Sequence, residues 1–185
     1  KFAIEGMRDI QKQIKDSKAF YFPYVEESKG VGDKLLFDLA KDAAVVITDD
    51  YPTYFVPQMT AEAKGNIKTT YELVDSNGIL PIRIAEKEYV RAHDFRRFMH
   101  KNIEDFLVEF PVENPLDYLN IQFDPKILKS LTQKYKLEDF NEINIQKFLD
   151  NLSVDKSVEI SEIVGGYDAA KSRLDYFTKK GFNDY

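Results

Sequence analysis

The sequence predicts an α/β fold, a three-layer, mostly parallel sheet with a helical carboxyl-terminal extension, and three observations lead there. Short apolar runs alternate with helical patterns through roughly the first 110 residues, which favours parallel strands joined by right-handed crossovers. The run Ala43–Ile47 is brief, β-branched and bounded by polar residues, as in a strand covered on both faces. Beyond it, prolines at 111, 115 and 125 break the alternation, and only helical patterns follow.

The elements read in order as follows. Phe2, Ala3, Met7, Ile10 and Ile14 keep helical spacing with no evident cap and no initiator methionine before them. Residues 1–16 are therefore expected to be the first helix of a βα unit whose leading strand lies upstream, in a longer protein. Ala19–Phe22 reads as an aromatic strand closed by Pro23, which cannot continue a central ladder. A polar loop leads to a helix over 33–42, capped by Asp33, with Leu35, Leu36, Leu39 and Ala40 facing the sheet. After the strand at 43–47, Pro57 suits the first turn of a helix running to about Lys64. A strand over 69–74 and a helix over 91–110 complete the α/β part, the latter with Phe95, Phe98, Met99, Ile103, Phe106 and Leu107 on one side and Arg96 and Arg97 on the other.

Residues 111–164 read as an interdomain linker with two short helices, near 126–135 and 143–149, the second led by Asn141. Gly165 and Gly166 precede a helix over 167–179 with Ala170, Leu174 and Phe177 as its buried stripe and no packing partner evident. The expected division is thus 1–110, 111–164 and 165–185.

Composition limits the chemistry. The 185 residues include no cysteine, which excludes disulfides, thiolate metal sites and a cysteine nucleophile. No apolar run approaches the ~20 residues that cross a bilayer, and no secretory pattern opens the chain, so a cytoplasmic location without a membrane partner is expected. The net charge of −6 offers no overall basic field and argues against direct nucleic-acid binding by this segment. His93 and His100 lie seven apart with no third ligand type at metal spacing, so they read as surface or packing residues, and no metal site is expected.

In open parallel sheets ligands bind beyond the carboxyl ends of the strands. That rule singles out Thr48, Asp49 and Asp50 after the first central strand, and Asp75 and Asn77 in the Asp75–Gly78 turn after the next, as a candidate antenna or nucleotide edge. Taken singly, each of these residues is read first as a helix cap, in the case of the two aspartates, or as part of the Asn-Gly turn. The loop Tyr51–Pro57 is aromatic enough to floor a pocket for a flat ligand, or to pack on the helix after it. Gly30-Val31-Gly32 lacks the third glycine of a dinucleotide loop, position 35 being Leu, and no Gly-Lys-Ser/Thr follows, so it reads as a plain loop.

Four stretches in order, KFAIEGM at Lys1–Met7, VVITDDYP at Val45–Pro52, VDSNGILP at Val74–Pro81 and the Gly165–Tyr185 segment, resemble the amino-terminal half of the DNA photolyase and cryptochrome family, in its class II-like bacterial branch. The resemblance implies a nucleotide-binding-like, Rossmann-like α/β antenna domain over 1–110 without its first strand, and the opening of a helical FAD-binding domain at 165–185. It implies a deoxyribodipyrimidine photolyase, a carbon–carbon lyase whose reduced FAD, excited by light directly or through a deazaflavin or folate antenna, donates an electron to a cyclobutane pyrimidine dimer in damaged DNA, flipped from the duplex. The dimer splits and the electron returns. By position, Tyr185 is the one FAD contact carried over. No catalytic residue is expected in this segment, which also lacks tryptophan. A cryptochrome-like photoreceptor without repair activity shares these features. A small nucleotide-binding α/β module, with Asp49 and Asp75 facing a ribose or adenine, is the reading outside the family.

Overall fold

Helical periodicity is realised at the start of the chain, where α1 spans Phe2–Ile14 in the computed structural model, which describes residues 1–120 and 124–184. The described residues form two compact units, one of 1–33 with 114–185 and the other of 34–113.

In the 34–113 unit, α2 (Leu35–Ala40), β1 (Val45–Asp49), α3 (Val56–Asn66), β2 (Thr70–Val74) and α4 (Ala92–Asn102) follow in order. Strands β1 and β2 pair in parallel, Val45 opposite Thr70 through Asp49 opposite Val74, with α3 as the crossover. Pro57 sits in the first turn of α3, where its missing N–H costs nothing. The Thr69 hydroxyl donates to the Ala40 carbonyl at 3.1 Å and ties the end of α2 to the start of β2. Helix α2 begins after Lys34 with no side-chain cap, so Asp33 does not cap it. Ala40 of its expected stripe is buried, while Leu36 and Leu39 stay exposed. Helix α4 stops at Asn102 and tightens into a 3-10 turn, Ile103–Phe106, short of the expected 110.

The expected three-layer, mostly parallel, Rossmann-like sheet is not what forms. The described residues hold seven α-helices and a single two-stranded sheet. Strand β1 is not covered on both faces: Val46 and Thr48 are half-buried, whereas Val45 and Ile47 on the other face are 40% and 59% exposed. The apolar run has the composition of a two-sided strand, but two strands supply too little sheet for a second layer.

The aromatic stretch at 19–22 shows where a further strand went. It is extended without ladder partners, and the chain just beyond it is engaged within the other unit. There the Pro23 carbonyl accepts from the Glu138 N–H at 3.1 Å, Tyr24 meets Tyr135 edge-on at 6.0 Å, and Lys136 pairs with Glu27 at 2.9 Å. β-propensity reflects a residue's fit to a pleated, half-buried surface, and Ala19, Tyr21 and Phe22 are half-buried without a ladder to pair with.

The core of the 1–33/114–185 unit joins Ile4 of α1 to Phe140 and to Phe148 and Leu152 around α6 (Ile145–Asn151), with Met7, Val25 and Ile143 packed about them. Arg8 fastens α1 to this core: its Nε donates to the Phe140 carbonyl at 2.6 Å and its guanidinium to the Ile143 carbonyl at 3.0 Å. Helix α5 (Pro125–Lys134) is led by Asp124, whose carboxylate accepts from the Lys126 N–H. Helix α6 is led by Asn144, three residues after the expected Asn141.

Helix α7 (Tyr167–Tyr176) continues into a π-helical turn, Phe177–Gly181. The expected stripe is not buried, Ala170 and Leu174 both being exposed. What fixes α7 is its amino end, which does have a partner. The Gly165 N–H donates to Glu5 Oε2 at 2.8 Å and the Asp168 N–H to Asp9 Oδ2 at 3.3 Å, so two carboxylates of α1 satisfy amides at the start of α7.

Candidate functional site

The residues singled out at the strand ends do come together. Parallel pairing puts Asp49 opposite Val74, so both following loops leave from the same edge. The Asp50 N–H extends the ladder by one bond, to the Val74 carbonyl at 2.8 Å. Ser76 donates its hydroxyl to Asp49 Oδ1 at 2.6 Å, and the Asn77 side-chain amide donates to the Asp50 carbonyl at 2.8 Å.

Asp75 organises the turn. Its Oδ1 accepts from the backbone and side-chain N–H groups of Asn77, and its Oδ2 from the Ile82 N–H at 2.6 Å, at the start of the 3-10 helix Ile82–Ile84. These bonds, the Ile82 amide foremost, hold its carboxyl below the usual carboxylate range. Asp50 is likewise lowered, first by its hydrogen bonds to Arg83, which grips it through Nε and a terminal nitrogen. Thr48 is half-buried within β1 and has no side-chain bond to this network.

Turn formation therefore occupies Asp75 and Asn77, and the ion pair with Arg83 occupies Asp50, while neither Asp49 nor Asp50 caps α3, which follows Phe55 with no side-chain cap. The Asp50 and Asp75 carboxylates are engaged within the protein, and the chemistry open to a ligand lies beside them. An open cleft of about 450 Å³ is lined by Tyr51, Pro52, Thr60, Lys64, Ile82 and Arg83, among others. Its size is that of a pocket for a small molecule. Pro57, Thr60, Ala61 and Lys64 reach it from successive turns of α3, a spacing of three, four and seven. Lys64 is exposed and, among the described residues, has no ion-pair partner, which leaves an ammonium at the cleft for an anionic or electron-rich group. Tyr54, at φ 60°, holds a left-handed conformation in the loop above, with its ring 83% exposed. The aromatic loop is thus not consumed by packing on α3.

Arg83 and Lys64 were not singled out from the sequence. The helical stripe 57, 60, 61, 64 was readable, but nothing local marks an arginine eight residues past Asp75 as the partner of Asp50.

Removing that partner has a readable consequence. In an Arg83→Ala variant the Asp50 carboxyl is expected to titrate upward toward the ordinary value near ~3.9, followed by carboxyl-carbon NMR. Because the folded-state value is depressed, whatever stability the pair adds is present above the unfolded-state value and lost as pH falls through the folded one. An unchanged Asp50 titration would show that Arg83 is not its partner in solution.

The remaining predicted features resolve as follows. Gly30 and Gly32 donate their N–H groups to Glu26 Oε1 at 2.8 and 3.0 Å, so the glycine loop is closed by the protein's own carboxylate. His93 and His100 are both exposed on α4, and no cluster of three or more metal-ligating side chains occurs among the described residues. No helix among them is long and apolar enough to cross a membrane. Tyr185, the expected FAD contact, lies outside the described residues. In comparisons with known proteins, no family model and no curated protein matched this chain.

Proposed function

We propose that this chain is the amino-terminal part of a light-driven, FAD-dependent deoxyribodipyrimidine photolyase that splits cyclobutane pyrimidine dimers in damaged DNA, with the edge of the β1–β2 pair as the seat of an antenna chromophore. One observation carries the reading. The segments Val45–Pro52 and Val74–Pro81, two of the stretches on which the resemblance rests, meet at one edge through the Ser76–Asp49 and Asn77–Asp50 hydrogen bonds, beside a cleft of ligand size. The cleft's tyrosine and prolines suit a flat ring such as a deazaflavin or folate, and Lys64 suits an anionic tail. FAD would be held almost wholly by residues beyond this chain, so catalysis is not assigned to any residue in it.

The test is a spectrum of the protein extended to its natural carboxyl end. Flavin bands and light-dependent loss of thymine dimers from an oligonucleotide are the expected result. A colourless protein would sink the proposal, and flavin without repair would redirect it to a cryptochrome-like receptor. In the same protein Asp49→Ala is expected to change antenna content while leaving repair driven by direct flavin excitation intact. Complete loss of repair in a folded, FAD-loaded variant would contradict that placement of the antenna.

A second reading has its own support. Lys64 beside Tyr51 and Thr60 also suits the phosphate and base of a nucleotide, as in a small nucleotide-binding module unrelated to light. Titration with ATP and with a deazaflavin separates the two, since only the nucleotide binder responds to ATP.

A further inference from the structure

We infer that the exposed face of α4 is a docking surface for a nucleic-acid phosphate backbone, independent of any lesion and of the ligand at the strand edge. His93, Arg96, Arg97, His100 and Lys101 recur at i, i+3, i+4, i+7 and i+8, which places all five on one helical stripe. All five are exposed. Among the described residues Arg96, Arg97 and Lys101 form no ion pair. The stripe runs about 12 Å at 1.5 Å per residue, long enough to meet more than one phosphate along a strand.

The opposite side of α4 explains why the basic side stays outward. Phe95 and Phe98 pack with Tyr89 at ring separations of 5.5 and 5.3 Å, and Phe98 and Met99 are half-buried. The helix is anchored by its aromatic side, and the cations have no structural task.

The net charge of −6 does not cancel this field. Exposed charges more than a Debye length apart, about 8 Å at physiological salt, are largely screened from one another. The carboxylates close by in sequence are Glu86 and Glu88, before the helix, Asp94, within it, and Glu104 and Asp105, which bound the stripe at its end. Arginine's planar fork matches phosphate oxygens better than an ammonium does, and two adjacent arginines favour phosphodiesters over a diffuse acidic surface.

The experiment is fluorescence anisotropy of the chain with a labelled, undamaged DNA duplex of arbitrary sequence across 20–200 mM salt. Three phosphate contacts predict a slope of log K against log salt of about −3. Arg96→Ala/Arg97→Ala/Lys101→Ala is expected to abolish that slope and weaken binding at least tenfold at the lowest salt, with an unchanged circular dichroism spectrum. A control of equal charge change, Lys126→Ala/Lys129→Ala/Lys147→Ala, is expected to bind as the parent does. Equal losses in the two variants, no binding by the parent, or tighter binding to polyglutamate than to DNA would each overturn the inference, the last by assigning the surface to an acidic protein.

Discussion

Phe140→Ala is expected to destabilise the 1–33/114–185 unit by about 3–5 kcal/mol, the range for truncating a fully buried phenylalanine. Phe140 has no solvent exposure, and its ring meets Phe148 edge-on with centroids 5.6 Å apart. Its backbone is held as firmly as its side chain: the N–H donates to Gln11 Oε1 at 3.0 Å and the carbonyl accepts from Arg8. With the chain clamped on both sides, neighbours cannot close the space the ring leaves, and the cavity persists. Urea unfolding followed by far-ultraviolet circular dichroism measures the loss. Phe110, 84% exposed, is the internal comparison, and its alanine variant is expected to stay within about 0.5 kcal/mol of the parent. A Phe140→Ala loss as small as that of Phe110→Ala would mean that the core does not centre on this residue.

Gly165→Ala is the second large effect, and it should act locally. A methyl group there would overlap the Phe2 carbonyl oxygen, with the Phe2 carbonyl carbon at 2.9 Å and Cα at 3.0 Å. All three are backbone atoms of α1, so no rotamer change relieves the clash. The next residue reinforces the requirement: Gly166 has φ 96°, and a side chain there would collide with the Asp9 carboxylate that accepts from Asp168. Opening this junction also strips Glu5 from the Gly165 N–H, and the expected cost is on the order of 2–4 kcal/mol. Because α7 is otherwise exposed, the penalty is expected as release of α7 rather than collapse of the Ile4–Phe140 core. Hydrogen exchange reads this directly. Amides from Ala170 to Tyr176 should lose protection in the variant while those of α6 keep theirs, and unchanged protection of α7 would rule out its docking through Gly165.

How far the sequence carried can be judged from particular residues. Helices were legible from apolar spacing, alone in α1, which has no side-chain cap, and together with Pro57 in the first turn of α3, whereas the Asp124 cap that leads α5 was not read from the sequence. Those signals act within one or two turns and need no distant partner. The carboxyl-edge cluster was legible for a related reason: two β-branched runs separated by one helix favour parallel pairing, and parallel pairing sends both loops to one edge. Asp49, Asp50, Asp75 and Asn77 were thus found together, although their bonds to Ser76, Arg83 and Ile82 were not foreseen.

The misreadings share a different character. Ala19–Phe22 has the composition of a strand, yet the chain leaving it is bound to residues 135–138, more than a hundred positions away. Ala170 and Leu174 have helical spacing but lie exposed, because α7 is held by backbone contacts at Gly165 and Gly166 and not by a stripe. The sequence by itself determined which segments are helical, that β1 and β2 are parallel and which polar residues share their edge, since all of these follow from short-range periodicity and chirality. Only the tertiary structure decided that the sheet among the described residues has two strands, that Arg83 holds Asp50 and that α1 receives the amino end of α7. Each of those outcomes depends on which distant groups satisfy a hydrogen bond or cover an apolar face, and periodicity does not encode the partner.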